Sequence, residues 1–193
     1  MILSGLKKYY LINKPYGVLT QFTDPEGRKT LKDLYDFPKD VYPVGRLDLD
    51  SEGLLLLSND KSIVDYLLNP EHGHEREYYA QVEGIPKEDE LKKFEDGILI
   101  KGIKTLPAKA KLIPDPGFPG RIPPIRERRN IPTAWISIIL NEGKFHQVRK
   151  MTAAIGYPTL RLVRVRIKGL ILGNMLSGSV RELTDNEINS LRS

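Results

Sequence analysis

The sequence predicts an α+β fold organised around a mainly antiparallel sheet, and three observations carry that reading. Short apolar runs interleave with helix-like segments but keep no strict βαβ rhythm. No glycine-rich phosphate loop follows any of the apolar runs, which argues against a dinucleotide-binding sheet. Residues 162–168 alternate cleanly, with Val163, Val165 and Ile167 pointing one way and Arg164, Arg166 and Lys168 the other; this is the pattern of a half-buried strand with a basic outer face.

The elements follow in order. Residues 9–12 are short, apolar and rich in β-formers, so they read as a strand, and Asn13-Lys14-Pro15-Tyr16-Gly17 stops it as a turn. Residues 41–47 read as a second strand or a loop. The continuous apolar run 53–58 fits a strand buried on both faces. Asp60 caps a helix over 61–68, with Ile63, Val64, Leu67 and Leu68 on one face and Pro70 past its end. A strand is expected over 77–82 and a short helix over 88–96, with Gly97 where a helix C-terminus needs it. Residues 113–133 hold six prolines and four arginines without periodicity, which predicts a long surface loop. Strand returns over 135–140, and a helix over 147–155 turns Val148, Met151, Thr152 and Ile155 inward. Thr184 and Glu187 have the spacing of a capping box for a final short helix.

Composition narrows the function classes. The chain has 193 residues, enough for one domain of two small subdomains. There is no apolar run near the length of a membrane span, and the opening residues lack the apolar stretch of a secretory signal. Cysteine is absent, which excludes disulfides and thiolate metal sites and favours a cytoplasmic setting. The net charge of +5 is concentrated: residues 142–168 carry seven Lys or Arg against the single acid Glu142. Clustered basicity of this kind suits a polyanionic partner.

The chemistry centres on Val44-Gly45-Arg46-Leu47-Asp48-Leu49-Asp50-Ser51-Glu52-Gly53, three carboxylates and an arginine beside a buried strand. Carboxylates next to a core cost desolvation energy unless they are paired or used. On these residues alone the loop could be a solvated turn, a glycosidase-like carboxylate pair or a Mg²⁺ site. The loop 113–133 is likewise open between a solvated insertion and an RNA-contacting arm built from Arg121, Arg126, Arg128 and Arg129.

Gly45-Arg46-Leu47-Asp48, followed by Ser51-Glu52-Gly53-Leu54-Leu55-Leu56-Leu57, resembles the catalytic motif of pseudouridine synthases of the RsuA/RluB/RluE type. Three further segments resemble that family's motifs in the same order: Asn13-Lys14-Pro15-Tyr16-Gly17-Val18, then Arg76-Glu77-Tyr78-Tyr79-Ala80-Gln81-Val82-Glu83-Gly84, then Glu142-Gly143-Lys144-Phe145-His146-Gln147-Val148-Arg149-Lys150-Met151. The nearest resemblance is to the RluE branch, through residues 123–133 and Gly156-Tyr157-Pro158-Thr159-Leu160-Arg161-Leu162. Phe145-His146-Gln147 stands where some relatives have Asn-Arg-Gln, and Arg76 stands where many have Lys.

The resemblance implies a pseudouridine synthase fold of two ferredoxin-like subdomains flanking a catalytic cleft, without the S4-like RNA-binding domain with which many members begin. It implies isomerisation of uridine in large-subunit ribosomal RNA, by a monomer without cofactor or metal. The N1–C1′ bond is broken and a C5–C1′ bond formed. Asp48 is then the essential carboxylate. Attack on the sugar, attack on the base and removal of the C2′ proton all need it ionised and beside the nucleotide. Arg149 matches the basic residue that pairs with it, Tyr78 the tyrosine that stacks on the target base, and Val148 a side chain against the other face of that base. Arg46 matches the arginine that fills the space left when the base flips out. Phosphate contacts are expected from Lys144, Lys150, Arg161, Arg164 and Arg166, and from Arg126, Arg128 and Arg129 of the loop.

Two other readings remain at this point. A non-catalytic ribosome-assembly factor on the same fold would need no such set as Asp48, Tyr78 and Arg149. A metal-dependent RNA-cleaving enzyme would need more than Glu71-His72-Gly73-His74-Glu75, which is short and local.

Overall fold

The computed structural model describes residues 6–126, 128 and 130–192. In chain order the elements are β1 (Tyr9–Lys14), β2 (Tyr42–Pro43), β3 (Glu52–Ser58), α1 (Lys61–Leu68), β4 (Arg76–Glu83), α2 (Glu88–Asp96), β5 (Leu99–Ile100), β6 (Ile103–Lys104), β7 (Lys109–Ile113), β8 (Thr133–Leu140), α3 (Gln147–Ala154), β9 (Thr159–Ile167), β10 (Leu170–Ile171), β11 (Val180–Glu182) and α4 (Asp185–Arg192). They form two compact units. One takes the described residues up to His72 together with those from Lys168; the other is Gly73–Ile167.

In the first unit β1 lies between β11 and β3 and is antiparallel to both, with Ile12 opposite Val180 on one side and Leu55 on the other. Every residue of β3 is buried, and Leu54 to Leu57 are fully so, as the unbroken apolar run predicts. Each such leucine contributes roughly 1.5–3 kcal/mol of burial free energy. Asp60 caps α1 by accepting from the Ser62 amide at 3.2 Å, and Ile63 and Leu67 face inward. Leu68, expected on the same face, is exposed. The capping box at the last helix forms as its spacing predicts: the Thr184 amide donates to Glu187 at 2.9 Å and the Glu187 amide to Thr184 Oγ1 at 3.3 Å.

The second unit is an antiparallel sheet in the order β9-β4-β8-β7. One face of it, through Ala80, Val82, Ile136, Ile138 and Leu162, packs against Leu91 and Phe94 of α2 and Val148 and Met151 of α3. Gly97 ends α2 at φ +83, and a Cβ there would lie 2.3 Å from the Thr105 carbonyl oxygen, so both conformation and space demand glycine.

The α+β class and the mainly antiparallel pairing are those expected, but the arginines of β9 are not arranged as their alternation predicts. Tyr78 pairs with Arg164 while Glu77 pairs with Arg166, so the register shifts between them and Val165 is the extra residue of a bulge. The bulge turns Arg164 to the face of Tyr78 and leaves Arg166 on the face of Glu77. Lys168 lies past the strand end, at φ +50, and donates to the Leu191 carbonyl at 3.0 Å. Residues 41–47 hold only the two-residue β2, and the loop over 113–133 begins one residue later, after β7, an edge strand whose Lys109 and Lys111 face solvent.

Candidate active site

Asp48 sits in the turn that leads into β3. Gly45 takes φ +78 at the start of that turn, with the Leu68 side chain 3.2 Å from where a Cβ would be. The backbone is then tied down from several sides. Thr20 Oγ1 donates to the Leu47 carbonyl at 2.7 Å and accepts from the Leu47 amide at 3.2 Å. The Gly17 amide donates to the Leu49 carbonyl at 2.8 Å, and the Ser51 amide to the Asp48 carbonyl at 3.1 Å. Leu47 plugs into the core, whereas Asp48 is half-buried and Arg46 exposed. The residues 13–18 that precede Thr20 are themselves held by Lys14. Its side chain is fully buried, and its ammonium donates to the Pro15 and Val18 carbonyls at 2.9 and 2.7 Å. Lys14 and Thr20 therefore position the Asp48 turn. Neither was singled out from the sequence, where a lysine in a turn and a threonine after it carry no distinguishing signal.

In the second unit, Tyr78 is half-buried against the apolar cluster that contains Val148. Arg76, two residues earlier on the same face, and Arg164, its cross-strand partner, flank it. Burial and the nearby Arg164 charge push the Arg76 guanidinium down from its usual value, while Tyr78 acts the other way. The face of Tyr78 is thus electropositive, suited to an anion or to charge that develops during a reaction. Arg164 is a second unexpected member of this group, since only the bulge brings it here. Arg149 projects from the first turn of α3 and donates to the Thr159 carbonyl at 3.2 Å. Val148 is 4% exposed and belongs to the core cluster, on the inward face expected of its helix.

The basic residues expected on the phosphate-binding face separate into two groups. Arg161 and Arg164 are buried, at 8% and 4% exposure, and Arg166 is engaged by Glu75 and Glu77 at 2.9 and 3.0 Å. Lys144, Arg126 and Arg128 are exposed and Lys150 half-exposed; Lys144 pairs with Glu142 at 2.9 Å and Arg128 with Glu83 at 3.0 Å. Arg129 lies outside the described residues. The Pro-rich segment 114–132 is anchored at its base, where Phe118 packs between Tyr79 and Trp135, with centroids 6.2 and 5.6 Å away. Of the acid and histidine cluster, His72 packs against Tyr66 with centroids 4.6 Å apart and the rings tilted by 44°, His74 is buried and Glu75 pairs with Arg166.

A family model described as RNA pseudouridylate synthase matches residues 8–154, a span that contains all four motifs. The chain belongs to that family. It is an isomerase that forms pseudouridine in RNA. It is similar to the ribosomal large subunit pseudouridine synthase E of Vibrio parahaemolyticus, with 48% identity over 177 residues that cover 92% of this chain and 74% of the relative. Similarity to the ribosomal large subunit pseudouridine synthase B of Bacillus subtilis is 38% over 185 residues, 95% of this chain and 71% of the relative. A solved structure described as a pseudouridylate synthase superposes with a TM-score of 0.81 at 28% identity, over 96% of this chain and 74% of that one. Among the described residues no helix is long and apolar enough to cross a membrane.

Proposed function

We propose that this pseudouridine synthase modifies a uridine of large-subunit ribosomal RNA. In this reading Asp48 is the catalytic carboxylate, Tyr78 stacks on the flipped base and Arg149 is the cation that keeps Asp48 ionised. Arg46 fills the space the base leaves. The substrate class follows from the relatives, which are named as large-subunit synthases and match across nearly the whole chain.

The observation that carries the residue roles is the build of the Asp48 turn. Its backbone is held by Thr20, Gly17 and Ser51, while Arg46 stands exposed and Asp48 half-exposed. A rigid backbone beneath accessible reactive side chains is what positional catalysis requires. The pairing with Arg149 rests on the match of the third motif and on the need of an ionised carboxylate in a dry site for a cation. Uridine and pseudouridine are isomers, so no electron acceptor or group donor enters the balance, and the monomer is proposed to act in the cytoplasm without a cofactor.

The test is a pseudouridine map of large-subunit RNA by carbodiimide-adduct primer extension, from cells with and without the gene. One stop should vanish in its absence, return with the wild-type protein, and stay absent with Asp48→Asn although that variant still binds RNA. A map unchanged by loss of the gene would overturn the substrate assignment.

A further inference from the structure

The turn before α3 is held in a strained shape. His146, the residue that precedes the helix, has φ +53 and ψ 31, a left-handed conformation in a residue that is not glycine. Such strain persists only where the surroundings over-determine it. Here they do. Gln147 is buried beneath the turn, its amide side chain accepting from the Lys144 amide at 2.9 Å and donating to Glu142 at 2.6 Å. The same Glu142 oxygen accepts from the Leu106 amide at 2.9 Å, and the Lys150 amide donates to the His146 carbonyl at 3.0 Å.

What this framework presents is an aromatic ring with one face supported. Phe145 is 68% exposed. The His146 ring lies against it at 3.9 Å between centroids and 21° between planes, close to parallel. The Lys150 ammonium lies over the Phe145 ring, 5.1 Å from its centroid, and donates to the Phe145 carbonyl at 2.7 Å, so a base that stacks there shares the ring with a cation. Lys144, one residue before, is exposed as well. An exposed apolar side chain is ordinary by itself, and it is the stacked partner ring, the held turn and the ammonium groups around Phe145 that set it apart. Backed by a second ring and bordered by ammonium groups, it has the make-up of a nucleotide platform: a π-face for a base and cations for its phosphate. The positive border disfavours an apolar peptide strand as the occupant and favours a polyanion.

We propose that Phe145, supported by His146 and bordered by Lys144 and Lys150, is a base-stacking platform that holds an unpaired nucleotide of the substrate RNA. The proposal rests on the reading of this chain as an RNA-modifying enzyme.

The experiment uses the full chain and a large-subunit RNA transcript that the wild type modifies. Loss of one base–aromatic stack corresponds to roughly a 5- to 150-fold change in affinity. Phe145→Ala should therefore raise KM and the RNA dissociation constant by about tenfold or more, with the loss falling on KM more than on kcat. Phe145→Tyr and Phe145→Trp should recover most of it. In Phe145→Trp the new indole should be quenched on RNA addition, measured as the difference from wild type, whose Trp135 is 7% exposed and shielded from contact with RNA. The salt slope of binding should be unchanged by Phe145→Ala and reduced by about one in Lys150→Ala, because stacking releases no counterions. Phe145→Ala that binds and turns over like the wild type, or an indole at 145 that stays unquenched with RNA bound, overturns the platform. A wild type that forms no pseudouridine on any ribosomal transcript would instead sink the functional reading, so the two failures are distinct.

Discussion

The Arg161 guanidinium lies over the Phe118 ring, 5.6 Å from its centroid, and donates to the Pro119 carbonyl at 2.9 Å. This arginine ties strand β9 to the base of the Pro-rich arm. Aromatic and cation–π contacts of this kind contribute about 0.5–1.5 and about 0.5–1 kcal/mol beyond burial. Phe118→Ala should therefore lower stability by about 1–3 kcal/mol in urea unfolding. It should also make the arm, residues 114–132, markedly more sensitive to limited proteolysis. Arg161→Lys should show the same proteolytic signature, since an ammonium cannot stack and reach the carbonyl together. An arm as protease-resistant as the wild type's would mean the tie is idle.

Salt dependence separates the exposed cations from the buried ones. Replacing Lys144, Lys150, Arg126 or Arg128 by Ala should each reduce the slope of log affinity against log salt by up to about one and leave the melting temperature nearly unchanged. Arg164→Ala should do the reverse, lowering the melting temperature through the lost packing of its buried side chain beside Tyr78 while the salt slope holds. Titrations at several ionic strengths, paired with thermal melts, read both.

Thr20 is predicted to matter for rate. Thr20→Val keeps the side-chain shape but loses both hydrogen bonds to Leu47. A misplacement on the order of 1 Å can cost about 100-fold in rate, so kcat should fall by roughly 10- to 100-fold with KM little changed. Thr20→Ser should restore it. Equal kcat in Thr20→Val and wild type would show that the Asp48 turn holds itself.

Acid should weaken the first unit through Asp60 and Glu187. Burial alone would raise Asp60, but hydrogen bonds from Tyr9 and Ser62 and the Lys7 charge hold it well below the usual 3.8. The Arg181 fork lowers Glu187 from its usual 4.5 to about 2. Both carboxyls bind a proton less readily folded than unfolded. Their contribution is present above about pH 4.5 and is lost as pH falls toward 2. Denaturation midpoints across that range should drop steadily. Asp60→Asn should flatten the drop and cost about 1–3 kcal/mol at neutral pH through the lost cap and hydrogen bonds.

Features whose cause is local were legible in the sequence. Asp60 capping α1, Gly97 ending α2 and the Thr184–Glu187 box each depend on residues within a few positions, and each forms as expected. The Asp48 turn was found through its motif, and its supports were not, because Thr20 reaches it from 27 positions away. The facing of Arg164 relative to Arg166 was not legible for a different reason. A period-two pattern assumes an unbroken register, and one bulge at Val165 reverses it for every residue on the far side. Short paired segments such as β5, β6, β10 and β11 offer two or three residues each, too few for any period to show.

The path of the chain has a consequence for when its first unit is complete. Gly73–Ile167 is an unbroken stretch, so the unit that holds Tyr78 has all its strands once Ile167 is made. The unit that holds Asp48 is assembled from both sides of that stretch: β1 needs β11 as its edge partner, Leu183 donates its amide to the Tyr9 carbonyl at 3.0 Å, and Arg192 reaches Asp60 at 3.2 Å. At about 5–20 residues per second, the first strand waits roughly 8–33 s for its partner. The nascent polypeptide thus carries Asp48 on an unfinished scaffold while Gly73–Ile167 is made. The sheet around β1 is complete only once β11 has been made.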